Sequence, residues 1–214
     1  MWKKLGKTLV TLSIVLFLVI GVGGYVAWSN LFQEIPVTYD SPEDQYKYGS
    51  IGTEVEQGIP FWIWLTLPRL FPDYLPDAGG YPTLGVTWEA GRDRPVGFTK
   101  KTIGYPRVAL NCAACHTQTS RQTVNGVPTL VPTGTVNSFD WTGYLKFLND
   151  SGRDPRFTGD YVLDEISYEY RFSTFEKLLY RFWLIPQTHK RLVNLDVESG
   201  FHKNVVEVSM ETTD

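Results

Sequence analysis

Residues 107–117 read Arg-Val-Ala-Leu-Asn-Cys-Ala-Ala-Cys-His-Thr, and Cys112 and Cys115 are the only two cysteines in the chain. Cys-x-x-Cys-His is the attachment pattern of a c-type haem. Each thiol adds to one vinyl group of the porphyrin, and the adjoining histidine supplies the proximal nitrogen to iron. The spacing sets both sulfurs along one edge of the ring. The small residues Ala113 and Ala114 let the ring lie against the backbone. Such sites usually occupy a helix, so a helix is expected over residues 108–119.

Three other chemistries compete for the same residues. A disulfide between cysteines this close is strained and redox-active rather than structural. A thioredoxin-like site requires a βαβ pattern around it, and none is visible. A zinc site requires two more ligands at suitable spacing, and the chain has no second cysteine pair. The haem reading, one covalent haem c held by Cys112, Cys115 and His116, fits best because it also agrees with the amino-terminal segment.

That segment, residues 9–28, reads LVTLSIVLFLVIGVGGYVAW and carries no charge. Twenty residues of helix are about 30 Å long, enough to cross a bilayer core. Lys3, Lys4 and Lys7 precede it and Glu34 is the first acid after it. The positive-inside bias then puts the amino terminus in the cytoplasm and the remainder in the periplasm or another non-cytoplasmic compartment. A cleaved signal peptide is the competing reading, but Gly21, Gly23 and Gly24 form no A-x-A site, so an uncleaved anchor is preferred. Both readings export the domain.

The formal charge is −3, and setting aside the three leading lysines leaves 17 basic against 23 acidic side chains. That balance, with no basic stripe, argues against nucleic acid as a partner. Seven Trp, 12 Tyr and 12 Phe supply enough large side chains for a real core.

The expected organisation is an anchor or signal over residues 1–30, a polar lead-in over 31–58, and a haem domain over 59–214, with two readings of its C-terminal end: a fragment, or a unit whose other half is a separate polypeptide. The fold class is mainly α with extensive irregular loops, a cytochrome c-like domain behind one transmembrane helix. Residues 59–75 predict a short buried helix stopped near Pro68. The Gly/Pro-rich block 76–106 predicts turns and a strand pair, 83–88 with 96–99. A hairpin or loop is expected over 123–136, with Asn125-Gly126 as its turn. Helices are expected from 138 to Gly152, over 159–170, and over 174–185. The last has a capping box from Ser173 and Glu176, an apolar stripe of Phe175, Leu178, Leu179 and Phe182, and a limit at Pro186.

His189, His202 and Met210 are the remaining candidates for the distal iron ligand. Two strong axial ligands favour electron transfer, whereas an open site lets dioxygen or peroxide reach iron. Arg107 and Arg121 flank the motif and are candidates to pair with the haem propionates.

The stretches Gly79-Gly-Tyr-Pro-Thr-Leu-Gly85, Glu89-Ala-Gly-Arg-Asp-Arg-Pro-Val-Gly-Phe98 and Lys100 to Thr117 resemble the first-haem region of the rubber oxygenase-like di-haem c-type cytochromes. That family is exported and distantly related to bacterial di-haem cytochrome c peroxidases. Ile59-Pro-Phe-Trp-Ile-Trp64 and Asp154-Pro-Arg-Phe157 fit the same resemblance, which covers about residues 55–185. It implies a haem cradled by loops and a few helices, with Cys112, Cys115 and His116 as its binding motif. It also implies a second haem in a later half, and here the chain departs, having no second CxxCH. The expected function is therefore a membrane-anchored c-type cytochrome that transfers electrons to a redox partner protein or second haem module. The rival is a haem-dependent dioxygenase or peroxidase, and a third reading is a haem-bearing subunit with structural work.

Overall fold

The computed structural model describes residues 2–120, 129–132 and 138–197. The chain forms a mainly α-helical domain behind one long apolar helix, α1 (Trp2–Leu31). Within α1, Val10–Ser29 has a mean hydropathy of 2.3 and none of it is buried against the domain, so it is long and apolar enough to cross a membrane.

Only Phe32 and Gln33 separate α1 from strand β1 (Glu34–Ile35). Helix α2 (Pro42–Tyr48) follows, capped by the Ser41 hydroxyl, which accepts from the Asp44 amide. The lead-in is built into the domain at both points. β1 pairs with Thr102 and Ile103, and Tyr48 is buried with Val96 and Ala113.

A four-stranded antiparallel sheet has the order β1-β3-β4-β2, with β2 at Ile59–Pro60, β3 at Phe98–Ile103 and β4 at Tyr105–Leu110. β3 and β4 form a hairpin in which Phe98 faces Leu110 and Ile103 faces Tyr105. Gly104, at φ +72°, makes the reversal. This hairpin replaces the expected pairing of 83–88 with 96–99. One backbone bond, Val96 N–H to Thr87 O at 2.8 Å, joins those two segments. Residues 81–84 instead wind into a 3₁₀ turn with Pro82 in its first turn.

Helix α3 (Phe61–Leu70) runs through Pro68 instead of stopping there. A proline at position 68 cannot donate to the Trp64 carbonyl one turn back. The Tyr81 hydroxyl fills that vacancy, donating to Trp64 O at 2.7 Å. The Tyr81 ring also stacks on the Trp64 indole at 4.4 Å, and the indole N–H donates to the Tyr144 hydroxyl at 3.1 Å. Ile63, Trp64 and Leu67 are wholly buried, each such side chain contributing about 1.5–3 kcal/mol.

The C-terminal half supplies the opposite wall of the core. α5 (Trp141–Arg153) and α6 (Gly159–Glu169) form as the apolar spacing predicts. α7 (Thr174–Leu179) carries the expected capping box of Ser173 and Glu176. Pro186 does not end the helical run. A π turn (Tyr180–Leu184) intervenes, with the Ile185 amide reaching back five residues to Tyr180 O, and α8 (Ile185–Val193) continues with Pro186 in its first turn. The expected stripe also divides. Leu179 packs on the core, while Phe175, Leu178 and Phe182 are exposed.

Candidate functional site at the Cys-Ala-Ala-Cys-His turn

Strand β4 delivers the chain directly into the motif, which occupies a single helical turn, α4 (Ala113–His116), and not the longer helix expected over 108–119. Immediately after it β5 (Thr117–Ser120) begins and pairs antiparallel with β6 (Thr129–Pro132). The pairing brackets the expected hairpin, whose Asn125-Gly126 turn lies outside the described residues.

Within the turn, His116 N–H donates to Cys112 O at 2.9 Å and Ala114 N–H to Asn111 O at 3.1 Å. Positions i, i+3 and i+4 share a helix face, so Cys112, Cys115 and His116 project together. Ala113 and Ala114 form the buried opposite face. Cys112 and His116 are exposed, Cys115 is half-buried, and the thiols are not joined to each other. Burial, with a smaller contribution from Cys112, pushes the Cys115 thiol up, so it stays protonated at neutral pH.

Four residues outside the motif fix this turn. The Asn111 side-chain carbonyl accepts from Ala113 N–H at 2.9 Å, and its amide donates to Tyr46 O at 3.1 Å and Gly49 O at 3.0 Å. One side chain thus caps the turn and ties it to α2. The Tyr46 hydroxyl donates to His116 O at 2.8 Å, closing the other end. Gly97, at φ +86°, lies flat beneath the turn and accepts from Asn111 N–H at 2.9 Å. Below that, Glu89 accepts from Lys47 at 2.7 Å and from the Tyr48 hydroxyl at 2.6 Å. Burial raises the Glu89 carboxyl, but these two partners together outweigh it and hold it below its ordinary value. The Tyr48 phenol is pushed well up, first by burial and then by Glu89. Asn111 adjoins the motif in the sequence, whereas Gly97 lies 15 residues before Cys112 and meets it only through the fold. Glu89 and Gly97 fall in the Glu89–Phe98 stretch already singled out in the sequence, while Tyr46 carries no sequence signal, because its role arises only when α2 docks.

No protein-family model, curated protein or solved structure matches this chain.

The chemistry therefore rests on the turn itself. Two thiols and an imidazole on one outward face, backed by two alanines, fit attachment of a flat macrocycle along the turn. A thioredoxin-like setting does not fit, because the motif follows an antiparallel hairpin. Among the described residues, no group of three or more His, Cys, Asp or Glu side chains could hold a metal ion, so nothing there completes a zinc site.

His189 sits in α8, half-buried, with its ring 5.5 Å from Phe157. α8 packs on α5 and α6, while the motif turn packs on α2. His202, Met210 and Arg121 lie outside the described residues. Arg107 donates to Val55 O at 3.2 Å and lies 4.4 Å over the Tyr105 ring. Its side chain lines a cleft of about 740 Å³ between β4 and the α5–α8 wall. Trp141, Tyr144, Leu148, Trp183 and Leu192 also line this cleft, which sequence reasoning did not anticipate.

Asp154-Pro-Arg-Phe157 serves the scaffold. Asp154 ends α5 and accepts from the Arg156 guanidinium at 2.7 Å and from the Tyr74 hydroxyl at 3.0 Å. The Arg156 hydrogen bonds, above all, hold its carboxyl well below the usual carboxylate range.

Proposed function

We propose that this chain is a membrane-anchored, exported c-type cytochrome with one haem attached through Cys112 and Cys115 and ligated by His116, transferring electrons to a partner protein or second haem module. The observation that carries the reading is the shared outward face of those three side chains on a turn held at both ends. A bound haem would supply a one-electron couple. The chain's own part is to fix the ring: Asn111 and Tyr46 set the direction of the turn, and Gly97 allows it to lie close to the domain. The long apolar helix supports the membrane location, and its positive leader supports the exported side.

The enzyme reading, a haem-dependent dioxygenase or peroxidase, draws on the cleft, whose aromatic and aliphatic walls suit an apolar substrate. β4 lines that cleft and leads straight into the motif.

The test is spectroscopic. Ferric and dithionite-reduced protein should show a low-spin c-type spectrum unchanged by carbon monoxide if the chain is a carrier. Rapid carbon monoxide binding would put the enzyme reading first. With Cys112→Ala and Cys115→Ala combined, the haem should become extractable by acid-acetone. Haem still covalently held, or no haem in the wild-type protein exported with its maturation machinery, would sink the attachment.

A further inference from the structure

The helical run from α7 through the π turn is apolar on two faces. Its inner face, Leu179, Tyr180 and Leu184, packs on the core. Its outer face leaves Phe175 42% exposed, Leu178 52%, Phe182 69% and Trp183 42%. An exposed cluster of this kind marks a contact surface.

Charge and connectivity indicate what it meets. Residues 170–195 contain Arg171, Lys177, Arg181, Lys190 and Arg191 against one acid, Glu176; Arg181 is paired with Asp160 of α6 at 2.6 Å, and the other four basic side chains leave the segment a net positive charge. Glu176 is turned away from this surface, accepting from Ser173 N–H at 2.7 Å and from the Tyr170 hydroxyl at 3.1 Å. Exposed aromatics on a segment with a basic excess suit an anionic bilayer surface.

The core beneath this surface is tied to the root of α1 by the β3–β4 hairpin. Gly104 N–H donates to Gln33 O at 2.7 Å, two residues beyond the end of α1, so the tip of the β3–β4 hairpin abuts the anchor's end. Tyr105, the next residue, packs against the core cluster that includes Tyr180 and Leu184. Tyr105 and Trp183 also line one cleft. The hairpin thus joins the end of the anchor to the core on which the π turn packs.

We infer that Phe175, Leu178, Phe182 and Trp183 form a second membrane contact, resting in the headgroup layer of anionic phospholipid beside the anchor. The inference rests on α1 as a retained anchor and is independent of haem attachment. It would hold the domain in one orientation, with the cleft beside the bilayer.

The experiment uses the full chain in nanodiscs of phosphatidylglycerol with phosphatidylcholine, carrying a benzophenone side chain in place of Phe182 or, as reference, of Trp28 in the anchor. Irradiation should give phospholipid adducts at both positions. Adduct at position 182 should fall several-fold in pure phosphatidylcholine, or when Arg171→Glu and Lys177→Glu are added. Adduct at position 28 alone, or crosslinks from 182 only to protein, would overturn the inference. Adduct at 182 indifferent to headgroup and charge would overturn its anionic-lipid component. Failure at position 28 as well would overturn the anchor reading itself. Both substituted side chains are exposed, and an unchanged thermal unfolding curve checks the fold.

Discussion

A methyl group at Gly97 would stand 2.2 Å from the Cα of Ala114 and 2.3 Å from its amide nitrogen. Neither atom can yield without moving the motif turn, and φ there is +86°, a region that side-chain-bearing residues seldom enter. Gly97→Ala should therefore cost about 1–3 kcal/mol, the range for overpacking a tight contact. The effect should be local as well as global, because the displaced atoms belong to the residue between the two cysteines. Chemical unfolding measures the first component, and the ratio of covalent haem to protein measures the second. A wild-type ratio and midpoint would show that the turn does not depend on this close approach. Asn111 acts by a different means, satisfying three backbone groups, and has no clash to relieve.

Proline placement shows what the sequence conveys about the elements and what it omits. Pro68 and Pro186 both read as helix stops, and neither is one. The reasons differ: the Tyr81 hydroxyl, remote in sequence, takes the Trp64 carbonyl that Pro68 cannot serve, whereas Pro186 sits in the first turn of α8 directly after a π turn. By contrast α5, α6 and the Ser173–Glu176 box depend on spacing and capping within one segment, and they were legible. The β3–β4 hairpin was missed because Phe98–Ile103 reads FTKKTI, four polar residues between two apolar ends with no alternation, in a stretch whose Gly/Pro density reads as turns. The helical turn at the motif was legible, but its length was not, since the flanking strands that cut it short are set by tertiary pairing. Tyr81→Phe should cost about 1–3 kcal/mol by leaving the Trp64 carbonyl buried and unpaired. Pro68→Ala restores an amide that can reach that carbonyl. In a double-mutant cycle, Tyr81→Phe should cost clearly less in the Pro68→Ala background than alone. Strict additivity of the two changes would mean that the hydroxyl does not stand in for the missing amide.

Across the whole molecule, the segments joined by buried or half-buried carboxylates are far apart in sequence. Glu89 links α2 to the loop before β3 through Lys47 and Tyr48, and Asp154 links the end of α5 to Tyr74 and Arg156. Both carboxyls sit below their ordinary values in the folded protein. A depressed carboxyl contributes stability that is fully present above its unfolded value, roughly 4, and is lost as pH falls through the folded value. Stability should therefore be flat from neutral pH to about 5 and fall below it, with Asp154 still contributing where Glu89 has already been titrated. Glu89→Gln removes one of these components. It should lower the melting temperature at pH 7, where the charged pair with Lys47 is intact, and narrow the gap to wild type toward pH 3. Asp154→Asn should do the same while keeping a wider gap at pH 3, because its carboxyl is the more strongly depressed. Thermal unfolding of the three proteins between pH 3 and 7 decides the matter. Parallel curves would mean that acid lability arises elsewhere, and that these carboxylates act as hydrogen-bond acceptors whose charge contributes little.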